Sequence, residues 1–336
     1  MEPVTSTSYI VLGIALFMLL NSAALAVYAE RRVAAFIQNR VGPNRVGPLG
    51  LLQPIADVVK LILKEDVTPA QGYKTLHAIA PIIPVVTALM TAVVIPFGDG
   101  LYATDINAGV LYLLAMTSLG VYGVTLAGWA SNSKYSLLGG LRAAAQMISY
   151  ELPLGMAIAS CILFSNSLSM IDVVDSQEYW WNIFRNPLGA VIFIVAAFAE
   201  ANRTPFDLVE AEQELVGGFH TEYSSMKFGM FFLAEYMHVV IGSMLITTFF
   251  FGSYHLPFAG YWLPELSSTW KSVLDVSVFV AKTLIWVFIY IWVRWTIPRF
   301  KYNQVMKLGW KRLLPLSILN FIVLAIIVYA WHHYLG

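Results

Sequence analysis

Residues 9–32 read YIVLGIALFMLLNSAALAVYAERR, an uncharged apolar run that ends on one acid and two arginines. A helix needs roughly 20 apolar residues to cross the hydrocarbon of a bilayer. The stretch therefore predicts a membrane-spanning helix with its charged end at the membrane surface. No basic residue precedes the run, so it lacks the start of a secretory signal and is expected to remain as a span.

Seven more apolar runs follow, and with the first they predict a single polytopic membrane domain over residues 1–336. Hydrophobic residues make up 58% of the chain and charged residues 12%, which is about half the charged fraction of a soluble domain. The expected fold class is all-α, with eight transmembrane helices and an amphipathic helix lying in the membrane interface. The predicted spans are residues 9–29, 77–97, 106–130, 143–171, 183–202, 228–254, 273–293 and 313–335, and the amphipathic helix covers residues 51–66.

Composition also limits the chemistry that the chain carries. The formal net charge is zero, and nothing suggests nucleic-acid binding. Cys161 is the only cysteine, whereas an iron–sulfur cluster needs about four protein ligands. There is no Walker loop and no dinucleotide-binding glycine fingerprint after a strand. We therefore expect no catalytic residue, no metal and no covalently bound cofactor on this chain.

The charge of the loops predicts the orientation. Of the 20 basic residues, 17 lie in the loops after the first, third, fifth and seventh spans. Positively charged loops stay on the cytoplasmic side of a membrane. Both termini are therefore expected on the non-cytoplasmic side, as an even number of spans requires.

Ionisable residues inside the apolar runs are the first candidates for function. Glu151 lies in the fourth span, Glu235 in the sixth with His238 three residues later on the same face, and Lys282 in the seventh. A charge at the middle of a bilayer costs roughly 3 kcal/mol on insertion scales, unless it is paired, hydrated or neutralised. One interpretation is a Glu–Lys pair that joins two helices. The other is a proton path, because adjoining carboxylates raise one another's pKa.

The loop between the fifth and sixth spans is the densest acidic segment of the chain. Two interpretations stay open: a solvated acidic face, and a folded site whose counter-charges come from the surrounding basic loops. The loop after the first span opens with Glu30, Arg31 and Arg32 and continues to Arg40 and Arg45. Arginines at the end of a span usually determine topology. They could also bind a polar headgroup, since the guanidinium donates in a fixed planar fork.

Four long stretches of the chain carry a resemblance to a known family. They are ERRVAAFIQNRVGPNRVGPLGLLQPIADVVKLILKED (30–66), GWASNSKYSLLGGLRAAAQMISYE (128–151), AEANRTPFDLVEAEQELVGGFHTEYSSMKF (199–228) and PRFKYNQVMKLGWKRLLPLS (298–317). Together they closely resemble the quinone-site membrane subunit of respiratory complex I, the H-type subunit of NADH-quinone oxidoreductase. The likeness runs from about residue 29 to residue 316.

The resemblance implies a role for each group of charged residues. A chamber for the ubiquinone or menaquinone headgroup would be built with two hydrophilic subunits, and the electron carriers would belong to other subunits. The chamber residues implied are Glu30, Arg31, Arg40, Asp57, Phe219 and Glu222. The proton-coupling residues are Glu151, Glu200, Asp207, Glu210, Glu212, Glu214 and Glu235, to which we add Lys282 of the seventh span. Arg294 and Arg299 match the loop that meets the peripheral arm.

The resemblance also implies partners, a location and a mechanism. The partners would be the other complex I subunits, including the small membrane subunits beside the antiporter-like arm, together with quinone and membrane lipid. A bacterial plasma membrane is expected, with a mitochondrial or plastid inner membrane as the alternative. Quinone reduction would create negative charge, which the loop after the fifth span would sense. Glu214, Glu200, Glu151 and Glu235 would pass that change into the membrane.

Three other functions remain compatible with the residues. The chain could be the homologous membrane component of a membrane-bound hydrogenase or of a ferredoxin-driven relative. It could be a free-standing secondary transporter, although inverted repeats, which are typical of that class, are not visible by eye. It could also be a structural membrane anchor, in which the acids serve assembly only.

Overall fold

The computed structural model describes residues 6–208, 216–256 and 268–334, and within these ranges the chain contains helices and no β-strand. We number the α-helices in chain order. They are α1 (Ser6–Ile37), α2 (Gln53–Leu63), α3 (Lys74–Ile79), α4 (Ile82–Ala92), α5 (Gly109–Ala130), α6 (Lys134–Ser165), α7 (Met170–Asp175), α8 (Asn182–Arg185), α9 (Pro187–Glu200), α10 (Ser225–Phe250), α11 (Ser268–Thr296), α12 (Tyr302–Leu308) and α13 (Leu314–Tyr334). Single 3₁₀ turns occupy Pro48–Gly50 and Gly218–His220, and a π-helical turn joins α12 to α13.

Seven helical segments in the described ranges are long and apolar enough to cross a membrane, and α9 is a shorter apolar helix. The all-α integral membrane fold expected from the sequence is thereby confirmed. The orientation of the termini rests on loop charge and stays a prediction.

Several predicted spans have different limits in the structure, and for the first two the local sequence gives the reason. The helix of the first span continues past residue 29 to Ile37 and carries Glu30 and Arg31 with it. The second span, predicted at residues 77–97, is divided by Pro81 into α3 and α4 and ends at Ala92. Proline removes a helical hydrogen bond and clashes with the preceding turn, which accounts for the break.

The fifth predicted span, residues 183–202, corresponds to α8 and to the short helix α9. Helix α9 has 14 residues, and at 1.5 Å per residue it is only about 21 Å long. Its first residue is Pro187, and the preceding Asn186 accepts a hydrogen bond from the Gly189 amide at 2.8 Å. Asn186 is itself buried and accepts another hydrogen bond from Asn320 of α13. The helix therefore begins inside the bundle, with its buried end capped by protein groups.

The predicted amphipathic helix at residues 51–66 is present as α2, which packs beside α1 and α10. Its apolar side chains face outward, and Ile55 and Ile62 are about 60% exposed. On its polar side, Asp57 faces α1 and lies 2.6 Å from the Arg31 guanidinium, whereas Lys60 is exposed. An outward apolar face beside a basic helix end is the arrangement expected of a helix that lies in a membrane interface.

Close backbone contacts made by glycines position the turn that follows the acidic loop. A Cβ at Gly139 of α6 would lie 2.7 Å from the Gly218 carbonyl carbon and from the Phe219 nitrogen. One helical turn earlier, the Ser136 hydroxyl donates a hydrogen bond to the Phe219 carbonyl at 2.8 Å. Small residues allow this kind of close approach in membrane bundles. The Gly218–His220 turn is therefore fixed against α6.

We expect Gly139→Ala to destabilise the protein, because the new methyl group would overlap backbone atoms that no side-chain rotation can move. Overpacking of this kind costs about 1–3 kcal/mol. The matched control is Gly155→Ala in the same helix, where a Cβ meets no atom within 4 Å. The measurement is the thermal unfolding midpoint of the detergent-solubilised protein. Equal midpoints for the two variants would contradict the close packing.

Candidate functional site

The centre of the candidate site is Arg203, which follows α9 after a left-handed turn at Asn202. Its side chain is only 4% exposed. The Nε atom lies 3.0 Å from Oε1 of Glu235 in α10, and Nη1 lies 3.5 Å from Oε2 of Glu30 in α1. The guanidinium also lies over the Tyr236 ring, with its carbon 4.3 Å from the ring centroid. One buried cation is thus enclosed by two carboxylates and an aromatic face.

Glu30 extends this group to a fourth part of the chain. Its second carboxylate oxygen accepts a short hydrogen bond from Nη1 of Arg294, near the end of α11. Helices α1, α10 and α11 and the segment after α9 therefore meet in one row of alternating charges. We call this row, made of Arg294, Glu30, Arg203 and Glu235, the ion-pair row.

The charge of Arg203 does not change within the ordinary pH range. Burial alone would lower the pKa of its guanidinium, but the nearby Glu235, Tyr236 and Glu30 raise it by more, so that the pKa lies above its ordinary value. Arg203 therefore stays positively charged. A change of protonation within the ion-pair row can occur only at its carboxylates.

A second contact anchors the beginning of the acidic segment. Asp207 is buried, and its carboxylate lies 2.8 Å from Nη2 of Arg299. The Phe300 amide donates a hydrogen bond to the Pro205 carbonyl at 3.0 Å. The Phe206 ring packs between Tyr150 and Phe300, with centroids 5.3 and 5.6 Å away. Thus a basic loop does supply a counter-charge here. Glu210, Glu212 and Glu214 lie outside the described residues.

A cavity of about 60 Å³ lies next to the ion-pair row. Its polar walls come from Glu200, Glu235 and His238, and its apolar walls include the rings of Phe219 and Phe231. A water molecule needs about 10–15 Å³ on this scale. The cavity is therefore large enough for several waters beside two carboxyl groups. Glu235 lines the cavity and also pairs with Arg203, so it belongs to both structures.

Glu151 lies on the other side of Glu200. Its carboxylate accepts a short hydrogen bond from the Ser118 hydroxyl, which joins α6 to α5. Glu151 is also near enough to Glu200 for the two carboxylates to repel each other. Three of the predicted coupling acids, Glu151, Glu200 and Glu235, are thus brought into one region between α5, α6, α9 and α10.

The remaining predicted chamber residues lie outside the ion-pair row. Asp57 accepts hydrogen bonds from Arg31 at 2.6 Å and from Gln53 at 3.1 Å. Arg40 is exposed, and its Nε donates to the Gln38 side chain at 2.6 Å. Glu222 lies beside His77, whose ring nitrogen is 3.4 Å from the Glu222 carbonyl oxygen. The structure therefore separates a buried group around Glu30 from a more exposed group around Arg31.

Lys282 pairs with no acid among the residues that the structure describes. Its ammonium donates to the backbone carbonyls of Phe251, Ser253 and His255, at 2.7, 2.8 and 2.7 Å. It also lies 4.4 Å from the centroid of the Trp181 ring. These carbonyls follow the end of α10, where helical carbonyls have no partner within the helix. The Glu–Lys pair considered from the sequence is not formed by Lys282 in the described ranges.

Three residues of the site, Arg203, Tyr236 and Ser118, had no role predicted from the sequence. Arg203 could have been noticed because the acidic loop contains only one other arginine or lysine, Lys227. Tyr236 follows Glu235 directly, yet an aromatic residue next to an acid in a membrane helix is no distinctive signal. Ser118 lies in an uncharged span and gives no signal of its own, because its role depends on Glu151 facing it from the next helix.

A family model described as NADH dehydrogenase matches residues 10–325 of the chain. The chain belongs to this family. The match covers every element of the candidate site, from Glu30 in α1 to Arg299 after α11. The resemblance recognised from the four sequence stretches is thereby confirmed.

Relatives in the NADH dehydrogenase family cover nearly the whole chain. The NADH-quinone oxidoreductase H subunit of Salinibacter ruber is 57% identical over 317 residues, which cover 92% of each chain. NADH-quinone oxidoreductase subunit 8 of Rhodothermus marinus is 56% identical and covers 92% of this chain and 95% of its own length. The NADH-quinone oxidoreductase H subunit of Leptospira biflexa is 46% identical over 332 residues, covering 93% of this chain and 92% of its own.

We expect Arg203→Met to destabilise this family member strongly, because two buried carboxylates would lose their shared counter-charge. Removing one partner of a buried ion pair costs about 3–5 kcal/mol. The control is Arg31→Met, whose side chain is 47% exposed and pairs at the surface, where the loss is about 1 kcal/mol or less. Thermal unfolding of the purified membrane complex is the measurement.

The double variant Arg203→Met with Glu235→Gln separates charge pairing from simple loss of packing. Removing both charges leaves fewer unpaired groups than removing one, so the double variant should be more stable than the sum of the single changes predicts. Strictly additive losses would show that Arg203 and Glu235 do not interact.

Proposed function

We propose that this chain is the membrane subunit of a proton-translocating NADH-quinone oxidoreductase. The observation that carries the proposal is the match to relatives named as the H subunit of that enzyme, over more than nine-tenths of both chains. The geometry supports the proposal. The carboxylates lie buried beside a permanently charged arginine and a cavity, and this arrangement suits proton translocation. The enzyme's redox centres would lie in other subunits. This chain would bind quinone as substrate and carry no metal.

The quinone chamber would be bordered by Glu30, Arg31, Arg40, Asp57, Phe219 and Glu222. Arg31 and Asp57 lie where α1 meets the interfacial helix α2, and a lipid-soluble molecule would leave the bilayer for the polar chamber at this place. Arg31 would donate hydrogen bonds to a quinone oxygen on its way into the chamber. Phe219 is held against α6 and forms a ring-edge contact with Phe231, which suits an apolar wall of fixed shape.

Coupling would begin at the ion-pair row. Reducing a quinone to a quinol adds two electrons and takes up two protons, so negative charge would develop whenever an electron arrives before its proton. That charge would change the balance around Arg203, which cannot respond by losing its own proton. Glu30 and Glu235 would respond instead. Because Glu235 also lines the membrane cavity, its change of protonation would be passed on to Glu200 and then to Glu151.

The other predicted residues would have supporting roles around the ion-pair row. Glu210, Glu212 and Glu214 would sense the quinone's charge, and Asp207, held by Arg299, would fix the start of their segment. Lys282 would act on coupling through the end of α10, which it caps. Arg294 and Arg299 would face the hydrophilic quinone-site subunits of the peripheral arm. Small membrane subunits would adjoin the bundle, and the assembly would reside in the plasma membrane of a bacterium.

We expect Arg31→Gln to raise the apparent KM for quinone about tenfold with little change in kcat. A hydrogen bond from a charged group is worth about 1.5–3 kcal/mol, and this one would act on quinone entering rather than reacting. The control is Lys64→Gln, an exposed basic residue directly after α2. Steady-state NADH:quinone assays in membranes measure both constants. An unchanged KM for quinone would contradict the placement of Arg31 in the quinone chamber.

We expect Glu235→Gln to reduce proton translocation per quinone reduced, because glutamine keeps the shape of the side chain but cannot exchange a proton. The control is Glu178→Gln, an exposed acid in the loop before α8. The measurement compares NADH:quinone turnover with vesicle acidification in the reconstituted complex. If Glu235→Gln and Glu151→Gln both keep the wild-type ratio, these acids do not couple the reaction.

A further inference from the structure

His238 lies one helical turn after Glu235 in α10, and its hydrogen bonding fixes which ring nitrogen carries the proton. The Nδ1 atom lies 2.7 Å from the Ala234 carbonyl oxygen, four residues earlier in the helix. A carbonyl can only accept a hydrogen bond, so Nδ1 must be the protonated donor. In the neutral ring Nε2 is then the acceptor.

The Nε2 atom points away from its own helix toward α5 and α4. A Cβ built at Gly120 of α5 would lie 3.7 Å from Nε2 and 3.4 Å from the Thr87 hydroxyl oxygen. The glycine therefore leaves space open in front of Nε2. Among the residues that the structure describes, the only hydrogen-bond partner of the His238 side chain is Ala234. The ring thus keeps an available acceptor inside the bundle.

Two cavities meet at this ring. The first is the 60 Å³ cavity with Glu235, Glu200 and His238 in its wall. The second holds about 10 Å³ and is lined by Glu200 and His238 together with Thr91, Thr117 and Gly242. The second is close to the size of one water molecule. Glu200 and His238 therefore belong to the wall between a larger cavity near the ion-pair row and a smaller one deeper along α10.

We propose that His238 transfers protons between the carboxyl groups of Glu235 and Glu200. This step rests on the proposed function, because it requires that protons move through these acids. The O–H bond of the Glu235 carboxyl group breaks as the Nε2–H bond forms, leaving a carboxylate and an imidazolium. Nε2–H then breaks as the Glu200 carboxylate takes the proton, either directly or through a cavity water.

The transfer requires no rotation of the ring. The Nδ1–H bond to Ala234 is kept in every step, and the same Nε2 atom receives and releases the proton. Glu200 and Glu235 are the charged groups in the walls of the first cavity, and His220 is the only other histidine there among the described residues. A ring held at one nitrogen and open at the other suits repeated exchange.

A purely structural histidine would need only its Nδ1–H group. His238→Asn keeps a donor near the Nδ1 position and removes Nε2. His238→Gln places an amide near Nε2, where it cannot exchange a proton. Both variants should therefore fold, and both should slow NADH:quinone turnover about tenfold in the reconstituted complex. This loss is smaller than the hundredfold typical of removing a general acid or base. Water in the cavity can connect the Glu235 and Glu200 carboxyl groups in part when the imidazole is missing.

The deciding readout is rescue by added imidazole. In His238→Ala, imidazole should restore turnover, whereas it should not restore Glu200→Gln, and the exposed control His333→Asn should match wild type. The inference is overturned if His238→Asn and His238→Gln turn over at the wild-type rate, or if the loss in His238→Ala resists imidazole. If Glu200→Gln then still lowers proton translocation, the His238 step is wrong but the proposed function is kept. If Glu200→Gln also behaves as wild type, the proton path itself fails.

Discussion

The arrangement of this bundle depends on one buried positive charge that cannot be neutralised. Moving an arginine out of water costs several kcal/mol even after relaxation, and only close carboxylates repay that cost. Arg203 obtains them from Glu30 and Glu235, which lie on helices far apart in the sequence. Arg294 then balances the second oxygen of Glu30. The position of α1 relative to α10 and α11 at this end of the bundle is therefore an electrostatic requirement as much as a matter of apolar packing.

A fixed charge between two titratable acids also determines how this region responds to a reaction. If Glu235 takes up a proton, Arg203 loses one of its two counter-charges. Glu30 is then the one remaining carboxylate of the ion-pair row that attracts Arg203 and Arg294. A local change of proton occupancy is thereby linked to the contact between helices. In the proposed function, Glu235 would transmit this change, because the same side chain lines the cavity between the helices. The ion-pair row and Glu200 would then belong to one path, since Glu235 and Glu200 line the same cavity.

The helices could largely be predicted from the sequence, whereas the ion-pair row could not. Whether a helix spans a bilayer depends mainly on the length of its apolar run. Long uncharged runs such as residues 9–29 could therefore be predicted as spans from the sequence. Helix α9 was harder, because its start depends on Pro187 and on the buried Asn186, whose side chain caps the helix. Arg294 and Glu30 are separated by 264 positions, and sequence spacing does not encode which distant helix ends meet. Arg203 was therefore counted as an ordinary loop charge.

Lys282 and Arg203 show two different ways of keeping a cation inside a membrane bundle. Arg203 is held by carboxylates, which gain and lose protons, so its surroundings can change charge. Lys282 is held by three backbone carbonyls, which accept hydrogen bonds but do not take up protons near neutral pH. The first arrangement can respond to a chemical event, and the second keeps one geometry. In the proposed function, Lys282 would act by fixing the end of α10, the helix that carries Glu235 and His238, because its carbonyl partners cannot receive its proton.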